Sequence, residues 1–194
     1  MITFSIFKRF ILIFSILNFS SAAASVGIFV NDGAENPREY ASGVFSGNVH
    51  FHYGVLVYSC VLTMEAVFQT NPPESGVLFK VNDADFSSGG VLTSAICNAF
   101  SLTGFPWISE VIEEESLAAL SNPDQSVDVK FNGISLNMCG AGLELTAKFN
   151  NNGTSALSSP SSLSFHGAHF SGTNCQLNGG LVVSGDDIDI FKGF

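Results

Sequence analysis

The sequence predicts an all-β fold, a single domain of antiparallel strands stacked as a sandwich. Closure of the sheet into a barrel is the alternative. Three observations carry the prediction. The chain holds many short runs rich in β-branched and aromatic residues, and clusters of Gly, Asn, Ser or Pro bound them. Apolar and polar residues alternate within the runs, so that one face of each strand is buried. Four cysteines follow an amino-terminal segment that reads as an export signal, which makes disulfides the expected staples.

The amino terminus comes first. Lys8 and Arg9 form a short basic region, Phe10 to Phe19 is an apolar run, and Ser20 to Ala24 supplies small residues with Ala22 and Ala24 placed for cleavage. That order is a secretory signal. The apolar run falls short of the roughly 20 residues a membrane-spanning helix needs. Residues 1–24 are therefore expected to leave, and residues 25–194 to form the secreted β domain. Of the seven Lys and Arg side chains, Lys8 and Arg9 leave with the signal. Five bases then face 17 acids, and the formal charge moves from −10 to −12. Such a charge repels phosphate backbones, so nucleic acid is excluded as a partner.

The strand signals follow in chain order. Val44 to His52 and Tyr53 to Phe68 are rich in aromatic and β-branched residues. Alternation recurs in Val127 to Phe131, Ile134 to Met138, Leu143 to Phe149 and Leu181 to Phe191. Turn clusters stand at Asn71-Pro72-Pro73, at Ser87 to Gly90 and at Asn150 to Gly153. One segment, Glu110 to Leu120, has good helix formers and predicts a short helix, with Glu113, Glu114 and Glu115 on its solvated face.

Cys60, Cys97, Cys139 and Cys175 allow three pairings. Cys60 with Cys97 and Cys139 with Cys175 is favoured, because each pair then lies in its own half. No C-x-x-C pair is present, which argues against a zinc knuckle or a thioredoxin-like site.

Catalytic signatures are missing. The chain has no G-x-S-x-G elbow, no H-E-x-x-H, no phosphate-binding loop and no dinucleotide fingerprint. No enzyme activity, no cofactor and no metal are expected. A hydrolase with paired carboxylates is the enzyme class that remains, and no acid pair is singled out for it. His50 and His52 lie two apart and so share one strand face, while His166 and His169 sit beside glycine. They could hold zinc or copper, but solvated strand positions are the simpler reading. Asp83 with Asp85, and Asp186 with Asp187 and Asp189, are read as solvated turns rather than calcium loops. Asn152-Gly153-Thr154 has the form of a glycosylation acceptor. Phe165 and Phe170 sit among small polar residues and are expected at the surface. Trp107, behind Pro106, is expected to anchor a turn, with ligand stacking beside Phe105 as the sharper alternative.

The cysteine surroundings resemble those of the Pra family, the PraB-like secreted bacterial activators of alkane oxidation. The resemblance runs from about Val44 to the carboxyl terminus. Its most distinctive piece is Cys97 to Trp107 (CNAFSLTGFPW), a cysteine followed by a strand ending in a Gly-x-Pro-Trp turn. Ser59 to Thr63, Val127 to Ile134 leading into Cys139-Gly140, and Phe170 to Gly179 stand around it. The Glu-rich segment and the many phenylalanines depart from the family pattern. The resemblance implies an exported, non-enzymatic accessory protein that promotes growth on hydrocarbons by emulsifying them or by modifying the cell surface. It also implies association with adhesion and biofilm, and it transfers no catalytic residue. The partners expected are apolar interfaces or hydrocarbon, cell-surface or matrix components, and further copies of the chain. Two rivals remain: an adhesive or fibre-forming matrix protein that assembles through strand edges, and a small outer-membrane β-barrel, suggested by the alternating carboxyl-terminal strand.

Overall fold

Strict alternation along the long strands dictates the architecture of the computed structural model, which describes residues 26–30, 39–70, 76–88, 94–117, 125–151 and 160–192. The expected signal sequence, the Asn71-Pro72-Pro73 turn and the Asn152-Gly153-Thr154 acceptor lie outside the described residues. Among the described residues, twelve strands and two short helices follow in order. They are β1 (Val26–Val30), β2 (Tyr40–Tyr53), β3 (Leu56–Thr70), β4 (Gly76–Ser87), α1 (Ser94–Cys97), β5 (Leu102–Thr103), β6 (Trp107–Ser109), β7 (Ile112–Glu113), α2 (Glu114–Leu117), β8 (Val127–Leu136), β9 (Gly140–Asn150), β10 (Ser162–His169), β11 (Cys175–Ser184) and β12 (Ile188–Lys192).

The all-β, antiparallel class is as expected, and of the two arrangements the sequence left open the sheet takes the alternative, a closed barrel rather than a sandwich. Eight strand positions run β3-β2-β11-β10-β9-β8-β6-β4, and β4 pairs back onto β3. The sheet closes because the segment after α1 breaks into three short strands. Of these, β6 bridges β4 and β8, β5 pairs with β8, and β7 pairs with β4. The helix expected over Glu110 to Leu120 does not begin at Glu110, because Ile112 and Glu113 are drawn into pairing with Val77 and Gly76. The described part of α2 is Glu114–Leu117, and residues 118–120 lie outside the described residues.

Phenylalanine fills the barrel. Phe45, Phe68, Phe79, Phe131 and Phe149 make one group of ring contacts, with Phe68 and Phe79 centroids 4.2 Å apart. Phe51, Phe86, Phe100 and Phe170 make a second group nearer the other end. Edge-on aromatic packing of this kind adds to the area term, and it leaves the interior a packed core rather than a ligand chamber. Many outward positions are polar, among them Ser42, Asn48 and His50 on β2, Asp128 and Lys130 on β8, Glu144 and Lys148 on β9, while Val44, Ile108 and Val182 are exposed apolar exceptions. A membrane barrel carries the reverse alternation.

So tight a barrel needs a bend, and glycine supplies it where β2 meets β11. A Cβ on Gly47 would lie 2.1 Å from the carbonyl oxygen of Gly180, a backbone atom that cannot step aside. A Cβ on Gly180 would meet only the Leu163 oxygen, at 3.8 Å. Gly47→Ala is therefore expected to cost about 2–3 kcal/mol through overpacking, and Gly180→Ala well under half of that. Urea unfolding of the two variants checks the difference, and equal midpoints would contradict it.

Strands β1 and β12 form a separate antiparallel pair at the end where β2 begins and β11 finishes, and they bury Ile28, Ile188 and Ile190. The edge of β12 is satisfied by side chains. Buried Asn151 donates to the Ile190 carbonyl at 2.8 Å and accepts from the Ile190 amide at 3.2 Å. Ser161 Oγ donates to the Ile188 carbonyl at 2.9 Å.

Candidate functional site

The opposite end of the barrel differs from the rest of the molecule in chemistry. Four connections meet there: the β2–β3 hairpin, the α1 segment, the β8–β9 turn and the β10–β11 turn. Their described stretches, Tyr53–Cys60, Ser94–Thr103, Leu136–Gly140 and Phe170–Cys175, hold no Asp, Glu, Lys, Arg or His among them. On a chain with a formal charge of −10, this is an uncharged pole.

The β2–β3 hairpin is its tip. Tyr53 pairs with Leu56, so Gly54 and Val55 form a two-residue turn, and Gly54 takes the positive φ of 60° that such turns require. The Gly54 amide donates to the Asn174 carbonyl at 3.2 Å, which fixes the tip against the β10–β11 turn. Val55 is 97% exposed, and Leu56 and Val57 are 50% and 54% exposed. Tyr53, Ile96 and Met138 are also substantially exposed on the same end. A cleft of about 410 Å³ lies behind the tip, lined by Tyr53, Gly54, Met138 and residues Gly172 to Cys175.

Both disulfides brace this pole. Cys60 on β3 is bonded to Cys97 on α1, and Cys139 in the β8–β9 turn to Cys175 at the start of β11, which is the pairing favoured from sequence. The first bridge holds the α1 segment over the barrel mouth, where Phe100 packs on Phe51 at 4.7 Å and on Tyr58 at 5.3 Å. Asn137 seals the next connection, donating to the Ala99 carbonyl at 2.8 Å and accepting from the Ser101 amide. The exposed tip therefore stands on a rigid base.

The aromatic residues expected to meet a ligand are placed otherwise. Phe165 and Phe170 are buried, against the expectation of exposure. Phe165 follows Leu163 on the inward face of β10, and a bulge after Phe165 resets the register before Phe170 turns in against Phe51. Trp107 is 2% exposed, and its Nε1 donates to the Thr103 carbonyl at 2.9 Å, so it anchors its turn. Phe105 is half-buried and stacks on Trp107 at 4.6 Å, behind a cis Phe105–Pro106 peptide. None of the four joins the hairpin tip. Tyr53, Val55, Leu56 and Val57 were not singled out from sequence, although Tyr53-Gly54-Val55-Leu56 contains the signal: a glycine opening a two-residue turn between two strand runs.

The acidic clusters divide. Asp83 and Asp85 point outward from β4 on either side of buried Ala84, so they are strand residues rather than a loop. Asp187 accepts from the Ser161 amide at 2.8 Å and from the Ile188 amide at 2.9 Å. Asp189 has a buried Oδ1 with no hydrogen-bond partner. Burial, with the Asp187 charge nearby, pushes its carboxyl up to about 7. Among the described residues no three His, Cys, Asp or Glu side chains gather to hold a metal ion. No described helix is long and apolar enough to cross a membrane, and two disulfides suggest a location outside the reducing cytosol.

The family described as alkane oxidation protein activator PraA/PraB-like matches residues 6–187 of the chain. No curated protein and no solved structure matches it.

Proposed function

Because the chain belongs to the PraA/PraB-like alkane oxidation protein activator family, we propose that it is a secreted, non-enzymatic accessory protein that promotes hydrocarbon use by adsorbing at the oil–water interface through its uncharged pole. One observation carries this reading. The only long apolar stretch exposed on the described surface, Tyr53 to Val57, tips an end whose four connections hold no charged side chain in their described stretches, on a chain with a formal charge of −10. Contiguous exposed apolar residues mark a site of interaction. Here the remainder of the molecule keeps its charge and stays hydrated, which is the division of labour in a surfactant.

Emulsification follows from that geometry. The apolar tip enters the hydrocarbon, the braced pole stops at the interface, and the acidic barrel faces water and repels its neighbours on the next droplet. The packed Phe interior argues against carriage of alkane inside the barrel, so contact is at the surface. Adhesion to a cell surface or a matrix is the second reading, and the same tip would serve it. Assembly through strand edges gains less support, because closure of the barrel gives each long strand of the main sheet a neighbour on both sides, although some of those ladders are short and the β1–β12 pair lies outside the closed sheet.

The test is interfacial tension of the purified protein at a hexadecane–water interface, beside a disulfide-bonded acidic protein of similar size. A markedly larger drop, with emulsions that persist, is expected. Equal behaviour of the two proteins would overturn the surface-active reading and favour adhesion.

A further inference from the structure

Strands β10, β11 and β2 are neighbours in the barrel wall, and together they carry no Asp, Glu, Lys or Arg. They carry instead all four histidines of the chain: His50 and His52 on β2, His166 and His169 on β10. On β2 the alternation is clear, with Val49 and Phe51 buried and His50 and His52 turned out. Two residues along a strand separate their Cα atoms by about 6.7 Å. That spacing lets two imidazoles on one face converge on a single ion at about 2.0–2.1 Å from each nitrogen.

The surroundings of His50 favour such a role. Its Nδ1 shares a hydrogen bond with Ser59 Oγ at 2.9 Å, and Ser59 is its ladder partner on β3. When Nδ1 donates, Nε2 is left as the acceptor and directed outward, which is how a partner hydrogen bond presets a metal-binding imidazole. His52 stands between Val57 and Gln176 in the ladder, neither of which is charged. His169 is less free, since its Nε2 shares a hydrogen bond with Gln176 Nε2 at 3.3 Å. His166 and His169 are also separated by the bulge in β10, which breaks their register.

We propose that His50 and His52 form a two-imidazole chelate for a borderline divalent cation, of the zinc, copper(II) or nickel class. Imidazole nitrogen suits these ions, whereas calcium and magnesium require carboxylate and carbonyl oxygens that this wall does not offer. With two protein donors, the remaining positions on the ion are filled by water. The site is exposed, exchangeable and selective by donor type. It adjoins the base of the hairpin, where His52 pairs with Val57, but its donors are imidazoles rather than the apolar tip, so metal binding stands whether or not the tip adsorbs to hydrocarbon.

The experiment titrates the purified protein with Zn²⁺, Cu²⁺ or Ni²⁺ alone, followed by calorimetry and by the histidine ring resonances. One equivalent is expected to bind, perturbing His50 and His52 first and surviving excess Ca²⁺ and Mg²⁺. His52→Ala, or His50→Gln with His52→Gln, should weaken binding by tenfold or more. His166→Ala with His169→Ala should leave it within about twofold. Binding that survives loss of His50 and His52, or that is abolished by loss of His166 and His169, would overturn the assignment.

Discussion

Replacement of Cys60 and Cys97 by alanine should destabilise the protein by about 3–4 kcal/mol and lower its melting temperature by roughly 10 °C. The bridge closes a loop with a sequence separation of 37. Releasing a loop of that length returns to the unfolded chain the entropy that the cross-link removed. The folded state loses as well. Without the bond, α1 is held over the barrel mouth chiefly by Phe100 against Phe51, Tyr58 and Phe86. Loosening α1 would let water reach the upper group of Phe rings. The Cys139–Cys175 bridge has a separation of 36 and should cost a similar amount. Calorimetry of the two double variants, in the absence of reductant, measures both effects. A melting temperature within a degree or two of the parent would refute the bracing role assigned to the bridges.

The second large effect is a pH dependence centred on Asp189. Its carboxyl is pushed up from 3.8 to about 7, first by burial and then by the Asp187 charge. A raised carboxyl means that the folded protein holds a proton the unfolded chain has already released between about pH 4 and pH 7. Folding stability must therefore fall as pH rises through that window, and the penalty is complete above about 7. A shift of this size on a fully enclosed group would amount to about 4 kcal/mol. Asp189 is partly exposed, and screening reduces the expected loss to on the order of 1–2 kcal/mol. Self-repulsion of an acidic chain also grows with pH, so the informative quantity is a difference. Asp189→Asn should be more stable than the parent at pH 8, and the gap should shrink toward pH 4. If parent and variant keep parallel stability profiles between pH 4 and pH 8, Asp189 is not the group responsible.

How much of this was legible in the sequence depends on what each feature requires. Strand identity was, because alternation such as Cys60, Leu62, Met64, Ala66 and Phe68 is a local property of β3. The disulfide pairing was as well, since each bridge joins cysteines near in sequence, even though the fold interleaves the two chain halves by pairing β2 with β11. Barrel closure was not. It depends on Lys80 and Val81 of β4 meeting Ile108 and Trp107 on β6 while Ile108 and Ser109 reach β8. Residues that short carry no strand signal of their own. The expected exposure of Phe165 and Phe170 failed for a related reason. Their neighbours are small and polar, but strand parity and a single bulge decide which way the rings face. The hairpin tip escaped notice because Val55, Leu56 and Val57 are apolar and read as core. Only the turn at Gly54, seen with the ladder around it, shows that these residues have passed beyond the last buried layer.

That tip is where the functional account stands or falls. Val55→Asp with Leu56→Asp places two charges on the apolar turn, at positions 97% and 50% exposed, so folding should be spared. Val182→Asp, an exposed apolar position on the barrel wall, serves as the matched control. Dynamic interfacial tension at a hexadecane–water interface should show the double variant losing most of the parent's drop while the control keeps it. Equal loss in both, or no loss in the double variant, would mean that adsorption does not run through the uncharged pole.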